Sequence, residues 1–275
     1  MYYKTMTLNS RNKLLLILWI IMASITFALV TTFIIFLIIG KIDIFSFDHG
    51  FFHFIFKETK LASILSHLLL LLYSVITLYG IYRAFEKTPS PEAIYFNASL
   101  LGTFFTGLRF CIPLFQLSLS YSVFYATVAK IAFAGQIILL ISFLCASLFN
   151  KDSQVLLAET NFVIIVALGT VFAQIIPLNL TKTNICGIPS FAFSGIFIGI
   201  SSIIVIFTVT SFLIFWKGLE KKENILISVG YVFIMLGFFS LSYAKSLFIF
   251  IIATIFLSVG TKLYLSQIHN YYLWK

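Results

Sequence analysis

Eight apolar runs constrain this chain more than any other feature: 14–39, 61–82, 93–115, 121–149, 160–180, 188–215, 225–242 and 246–264. Each is near or above the roughly 17–25 residues that cross about 30 Å of hydrocarbon. Inside a bilayer the backbone must satisfy its own polar groups, and runs of this length do so as helices. The sequence therefore predicts an all-α fold, a polytopic transmembrane helical bundle of about eight spans. Only 242–246 separates the last two runs, so seven spans is the alternative count.

Charge is scarce to match. Of 275 residues 61% are apolar, 18% aromatic and 10% charged, and the mean hydropathy is +1.08. A soluble domain carries about 25% charged residues. The connections between the runs are too short for an independent soluble domain, which needs about 50 residues, so 1–275 reads as a single integral membrane domain. The net charge of +9 then reports topology, with the lipid bilayer as partner and no nucleic acid. With the N-terminus inside, eleven basic residues, among them Arg11, Lys13, Arg83, Lys151 and Lys217, lie on the inner side. Only Lys41, Lys57, Lys60, Lys182 and Lys245 lie outside, the bias expected for N-in and C-in. Lys4, Arg11 and Lys13 also resemble the start of a signal peptide. The run they precede exceeds a cleavable core of about 7–15 residues, so it is expected to be retained as the first span.

Two cations lie deep within predicted spans, Arg109 and Lys130. The third span has a well-defined start at Thr88-Pro89-Ser90-Pro91-Glu92, with Ser90 as N-cap, Pro91 at the first helical position and Glu92 complementing the dipole. Counting about 1.5 Å per residue from there puts Arg109 in the outer half. Lys130 comes out at a similar depth when counted from the turn near 116–120. A cation at mid-span costs roughly 2.5–3.5 kcal/mol on insertion scales. All nine acids fall in loops or at span ends, which leaves helix carbonyls, lipid phosphates or an anionic ligand to offset that cost. His67 and Gln174 lie on two further spans at comparable height, Gln174 just before a kink expected at Pro177. Arg109, Lys130, His67 and Gln174 are thus the candidate ligand-binding residues of an outer-half cavity. The structural alternative is that Arg109 snorkels to outer phosphates while Lys130 faces another helix pair.

No motif names a reaction, so no catalytic residue and no cofactor is assigned. Enzymes acting on lipids need paired carboxylates, His-Asp sets or metal ligands at one depth. The one cluster of that kind is Asp48, His49 and His53 in the aromatic first outer loop, a weak metal candidate that Gly50 breaks up and that interfacial packing explains better. Cys111, Cys145 and Cys186 have no metal-ligand spacing, and Cys111 with Cys186 is a conceivable outer bridge. Tyr82-Arg83-Ala84-Phe85-Glu86-Lys87 resembles Trp216-Lys217-Gly218-Leu219-Glu220-Lys221, 134 positions on. As a repeat it would divide the chain into four-span halves, about 1–150 and 151–275. A six-residue match of membrane-edge composition also arises by chance.

Thr88-Pro89-Ser90-Pro91-Glu92, Phe104-Phe105-Thr106-Gly107-Leu108-Arg109 and the ending Tyr271-Tyr272-Leu273-Trp274 together resemble a group of uncharacterised multi-span membrane proteins from spirochaetes. That resemblance implies an inner-membrane location in a two-membrane bacterium and supplies no activity. The functional expectation is a membrane protein binding a small anionic or lipid-like ligand, as a sensor-like bundle or transporter. The alternative is a non-enzymatic scaffold beside a partner membrane protein. A transporter coupled to protons or sodium usually relies on a carboxylate within the membrane, and none is placed there.

Overall fold

The computed structural model describes residues 8–40, 55–86, 91–117, 122–148, 158–183, 189–215 and 221–273. Among them are eight long helices: α1 (Leu8–Ile38), α2 (Lys60–Ala84), α3 (Pro91–Gly107), α4 (Ser122–Leu148), α5 (Ala158–Ile175), α6 (Ser194–Phe215), α7 (Lys221–Ser242) and α8 (Leu247–Leu273). The expected all-α bundle is what the chain forms, and α7 and α8 are separate helices. Six of the eight are long and apolar enough to cross a membrane; α5 is apolar but shorter. After α3 the chain continues through a 3-10 turn, Leu108–Phe110, and one α turn, Cys111–Leu114.

The helices alternate in direction. Arg11 at the start of α1 donates to the Phe85 carbonyl beyond α2 (2.7 Å), and Phe85 in turn stacks edge-on against His269 near the end of α8. The beginning of α1 and the end of α8 therefore share one end of the bundle, here the starting end. At the opposite end Glu58 pairs with Lys245 at 3.0 Å, and Thr59 donates from its backbone to the Lys245 carbonyl while its side chain caps α2. This tie sets the α2 entrance against the tight α7–α8 connection.

That opposite end also carries the β-strands found among the described residues. Pro177 has no N–H to donate and disfavours the α conformation in the residue before it. It ends α5 at Ile175 where the sequence predicted only a kink within a span reaching 180. Strand β1 (Leu178–Thr183) then pairs antiparallel with β2 (Pro189–Phe191), with Leu178 opposite Phe191 and a register shift between Asn179 and Thr183. The expected outer turn is thus a small hairpin, and this is called the hairpin end below.

Helix packing follows the rules of a lipid solvent, where backbone approach replaces the hydrophobic effect between helices. The two most extensive contacts are α3 with α4 and α7 with α8. Both run over glycines: a Cβ on Gly102 would stand 2.9 Å from Leu139 N, and one on Gly260 only 2.7 Å from Ile234 N. α4 is the central helix, packing on α3, α5 and α6. Phe96, Phe143, Phe212, Tyr231 and Tyr264 interlock across α3, α4, α6, α7 and α8, with ring centroids 5.0–6.0 Å apart. Hydroxyls within the helices bond back to the preceding turn, as Ser66 to Ala62 O and Ser142 to Ile138 O, which removes their need for water. The exposed surfaces of α1, α5 and α6 are isoleucine, leucine, valine and phenylalanine, a lipid-facing coat.

Candidate functional site

Arg109 is brought inward by the backbone that precedes it. Gly107 lets α3 approach α2 so closely that a Cβ there would stand 3.0 Å from Leu71 N. The chain then tightens into the 3-10 turn, and Arg109 is buried at 3% exposure instead of reaching the surface. Its depth follows from register. The Thr106 hydroxyl donates to Ala132 O across the α3–α4 contact (3.3 Å). Because these helices are antiparallel, three residues further along places Arg109 level with Lys130, two turns in from the hairpin end.

Two side chains engage the guanidinium, and a third joins through one of them. Tyr243, at the end of α7, lies with its ring centroid 5.9 Å from Arg109 Cζ, and its hydroxyl engages the same guanidinium. That hydroxyl also donates to Gln136 Oε1 on α4, at 3.4 Å. His67 on α2 is close enough to Arg109 for the two to interact electrostatically. None of the three carries negative charge. His67 Nδ1 sits 2.7 Å from Ser63 O. A carbonyl only accepts, so Nδ1 holds a proton, and the neutral tautomer with that bond has its lone pair at Nε2. His67 Nε2 and Gln136 Nε2 are both buried without a hydrogen-bond partner. A buried polar atom left this way costs about 1–3 kcal/mol. The cluster therefore offers a cation, an amide donor and an imidazole acceptor at one depth, a set that fits an anionic group bearing a hydroxyl.

Lys130 and Gln174 form a second site. Lys130 Nζ donates to Gln174 O at 3.1 Å and to Gln174 Oε1 at 3.2 Å, in a partly exposed seam between α4 and α5. Six residues along a helix turn the direction by about 120°, so Lys130 and Gln136 face different neighbours of α4. The four residues read from sequence thus fall into two pairs at one level, His67 with Arg109 and Lys130 with Gln174. Lys130→Met is expected to lower thermal stability by no more than about 1–2 kcal/mol, since only hydrogen bonds to neutral, solvent- or lipid-accessible groups are lost. Thermal melting of the purified variant checks this; a loss of folded protein would show that the seam carries more than a pair of hydrogen bonds.

Gln136 and Tyr243 went unnoticed in the sequence. Gln136 is a lone amide inside an apolar run, which is itself a signal, whereas Tyr243 reads as part of the tight turn at 242–246. Asp48, His49 and His53 lie outside the described residues, as do Ser90, Cys186, Trp216 to Glu220 of the sequence match and Trp274. Among the described residues no group of His, Cys, Asp or Glu is placed to hold a metal ion, and Cys111 and Cys145 are free thiols.

The opposite end holds a second opening, a cleft of about 430 Å³ lined by Arg11 and Leu14 of α1, Ile94 and Asn97 of α3, and Thr160 and Val163 of α5, among others. Neither amide atom of Asn97 has a hydrogen-bond partner, and the side chain is fully buried.

Long apolar helices, a lipid-facing coat and polar groups turned inward define the class: an integral, multi-pass membrane protein built as an all-α bundle. No protein-family model, curated protein or solved structure matches the chain.

Proposed function

We propose that this protein binds a small anionic or lipid-like ligand at the Arg109 cluster, acting as a sensor-like bundle or a transporter in a bacterial inner membrane, with its hairpin end outward. The observation that carries the reading is the pair of unsatisfied atoms, His67 Nε2 and Gln136 Nε2, beside a buried guanidinium. A structural arginine alone would not require its neighbours to keep polar capacity unused. Access is supported by Tyr243, which is 48% exposed and lines a groove of about 410 Å³ between α6 and α7. The same ring that covers Arg109 on one side faces the lipid-side groove on the other, so rotation of one side chain opens a route. The basic-residue bias supports an outward hairpin end.

A scaffold role draws on a different observation. Most of the glycines described inside the bundle meet backbone or side chains, but Gly195 and Gly199 on α6 face open space. Small residues four apart on a lipid-facing helix suit packing against a partner helix.

Purification in native lipid, followed by mass spectrometry of co-purifying small molecules, separates the two. A species present with wild type and with Lys130→Met, but absent from Arg109→Gln and Gln136→Leu, is the expected result. Identical profiles for all four proteins would sink the ligand site and move the scaffold reading ahead.

A further inference from the structure

The cleft at the starting end is distinct from the Arg109 cluster: Asn97 and Arg109 are about 18 Å apart along α3 and the turn after it, at 1.5 Å per residue. Its walls are mostly apolar: Leu14 and Leu15 from α1, Ile94 from α3, and Phe162 and Val163 from α5. Its polar groups gather within two turns of the helix ends. Arg11 is 7% exposed and donates through Nη2 to the Phe85 carbonyl at 2.7 Å and to Asn12 Oδ1 at 3.0 Å. Asn12 Nδ2 donates to the Glu86 carbonyl at 2.8 Å, so the guanidinium is held in place by the end of α2 and does not wander on a flexible stem. Beneath it lies Asn97, fully buried on α3, with Nδ2 and Oδ1 both without partners. Thr160 adds a hydroxyl on the α5 side.

An amide buried in this way gains from any hydrogen bond that an occupant of the cleft offers, above all an acceptor for Nδ2. A fixed guanidinium selects a negative charge, and a phosphate matches its fork geometry. Apolar walls running from that end toward mid-bundle suit a hydrocarbon chain. Headgroup, phosphate, ester carbonyl and acyl chain occur in that order in one kind of molecule present at this depth. We propose that the cleft between α1, α3 and α5 binds an anionic glycerophospholipid, its phosphate on Arg11, an ester carbonyl accepting from Asn97 Nδ2, and an acyl chain along Leu14, Phe162 and Val163. A zwitterionic lipid of the same chain length supplies the same apolar contact but not the net charge, which makes the site selective.

The test is native mass spectrometry of the full-length protein from detergent, titrated with palmitoyl-oleoyl phosphatidylglycerol or with the matching phosphatidylcholine. Wild type is expected to retain one phosphatidylglycerol in preference to phosphatidylcholine. Val163→Trp fills the cleft from a position that is 65% exposed and therefore free to accept a larger side chain, and it is expected to abolish that retention. Asn97→Leu is expected to weaken it about tenfold, the equivalent of one lost charge-assisted or buried hydrogen bond. Ile203→Trp, at an exposed position on α6 outside the cleft, is expected to leave it unchanged, which separates loss of the site from a general effect of added surface bulk. Size-exclusion profiles confirm that each variant is folded. Equal retention of the two lipids by wild type overturns the proposal, as does undiminished phosphatidylglycerol binding in either Val163→Trp or Asn97→Leu.

Discussion

Gly135→Ala is expected to be among the most destabilising single-methyl changes in the bundle, by about 3 kcal/mol, at the upper end of ordinary overpacking effects. A Cβ at 135 would press on the Gly102 carbonyl oxygen and stand 2.7 Å from Thr106 N. Both obstacles are backbone, so no rotamer change relieves them and α3 must move off α4. That movement also stretches the hydrogen bond from Thr106 to Ala132 O. The better helix propensity of alanine returns only about 1 kcal/mol. At roughly 2–4 °C per kcal/mol for a chain of this order of size, the melting temperature falls by about 6–12 °C. Gly199→Ala supplies the comparison, because nothing lies within 4 Å of a Cβ there. It is expected to melt with wild type or slightly above. Detergent-solubilised melting followed by size-exclusion fluorescence measures both. Coincident melting of Gly135→Ala and wild type would mean that α3 and α4 do not cross this closely.

The helices were legible because a bilayer leaves so few options. Apolar runs of spanning length must be helical, and the eight predicted runs correspond to α1 through α8. A shared level along the bundle was legible too, since a capped start and a fixed rise put Arg109, Lys130, His67 and Gln174 at comparable height without knowledge of tertiary contacts. Azimuth was not. Whether Arg109 faces lipid or core depends on the 3-10 turn that follows Gly107, and a change of one residue in that tightening would turn the side chain by about 100°. Lys130 and Gln136 show the same limit, because their separation of six residues is invisible to hydropathy but decides which helix each one meets. Pro177 was legible as a break but not as a terminus; the alternation of Leu178-Asn179-Leu180-Thr181 after it is the strand signal that its place at the edge of an apolar run concealed. Glu92 read as a dipole complement at a span boundary, yet it is 1% exposed, because the starting end is closed over by neighbouring elements that hydropathy does not locate.

Arg109→Met is expected to separate function from stability. Removing the cation relieves a burial cost of roughly 2.5–3.5 kcal/mol on insertion scales. Against that stand the contact with the Tyr243 ring, about 0.5–2 kcal/mol, and a hydrogen bond to a charged group, about 1.5–3 kcal/mol. These terms nearly cancel, and methionine is flexible enough to fill the vacated space beside Tyr243. The variant should insert, remain monodisperse and melt within a few degrees of wild type, while losing any ligand that depends on the guanidinium. A fixed anionic group held by Arg109 has no substitute nearby, because Lys130 is committed to Gln174 across a different face of α4. Loss of the ligand is therefore expected to be complete at concentrations that saturate wild type, and it should appear both in co-purification and as loss of ligand-induced stabilisation. If Arg109→Met instead fails to fold, the guanidinium is a structural strut joining the 3-10 turn to the end of α7, and the unused atoms of His67 and Gln136 need another explanation, an ordered water being the simplest.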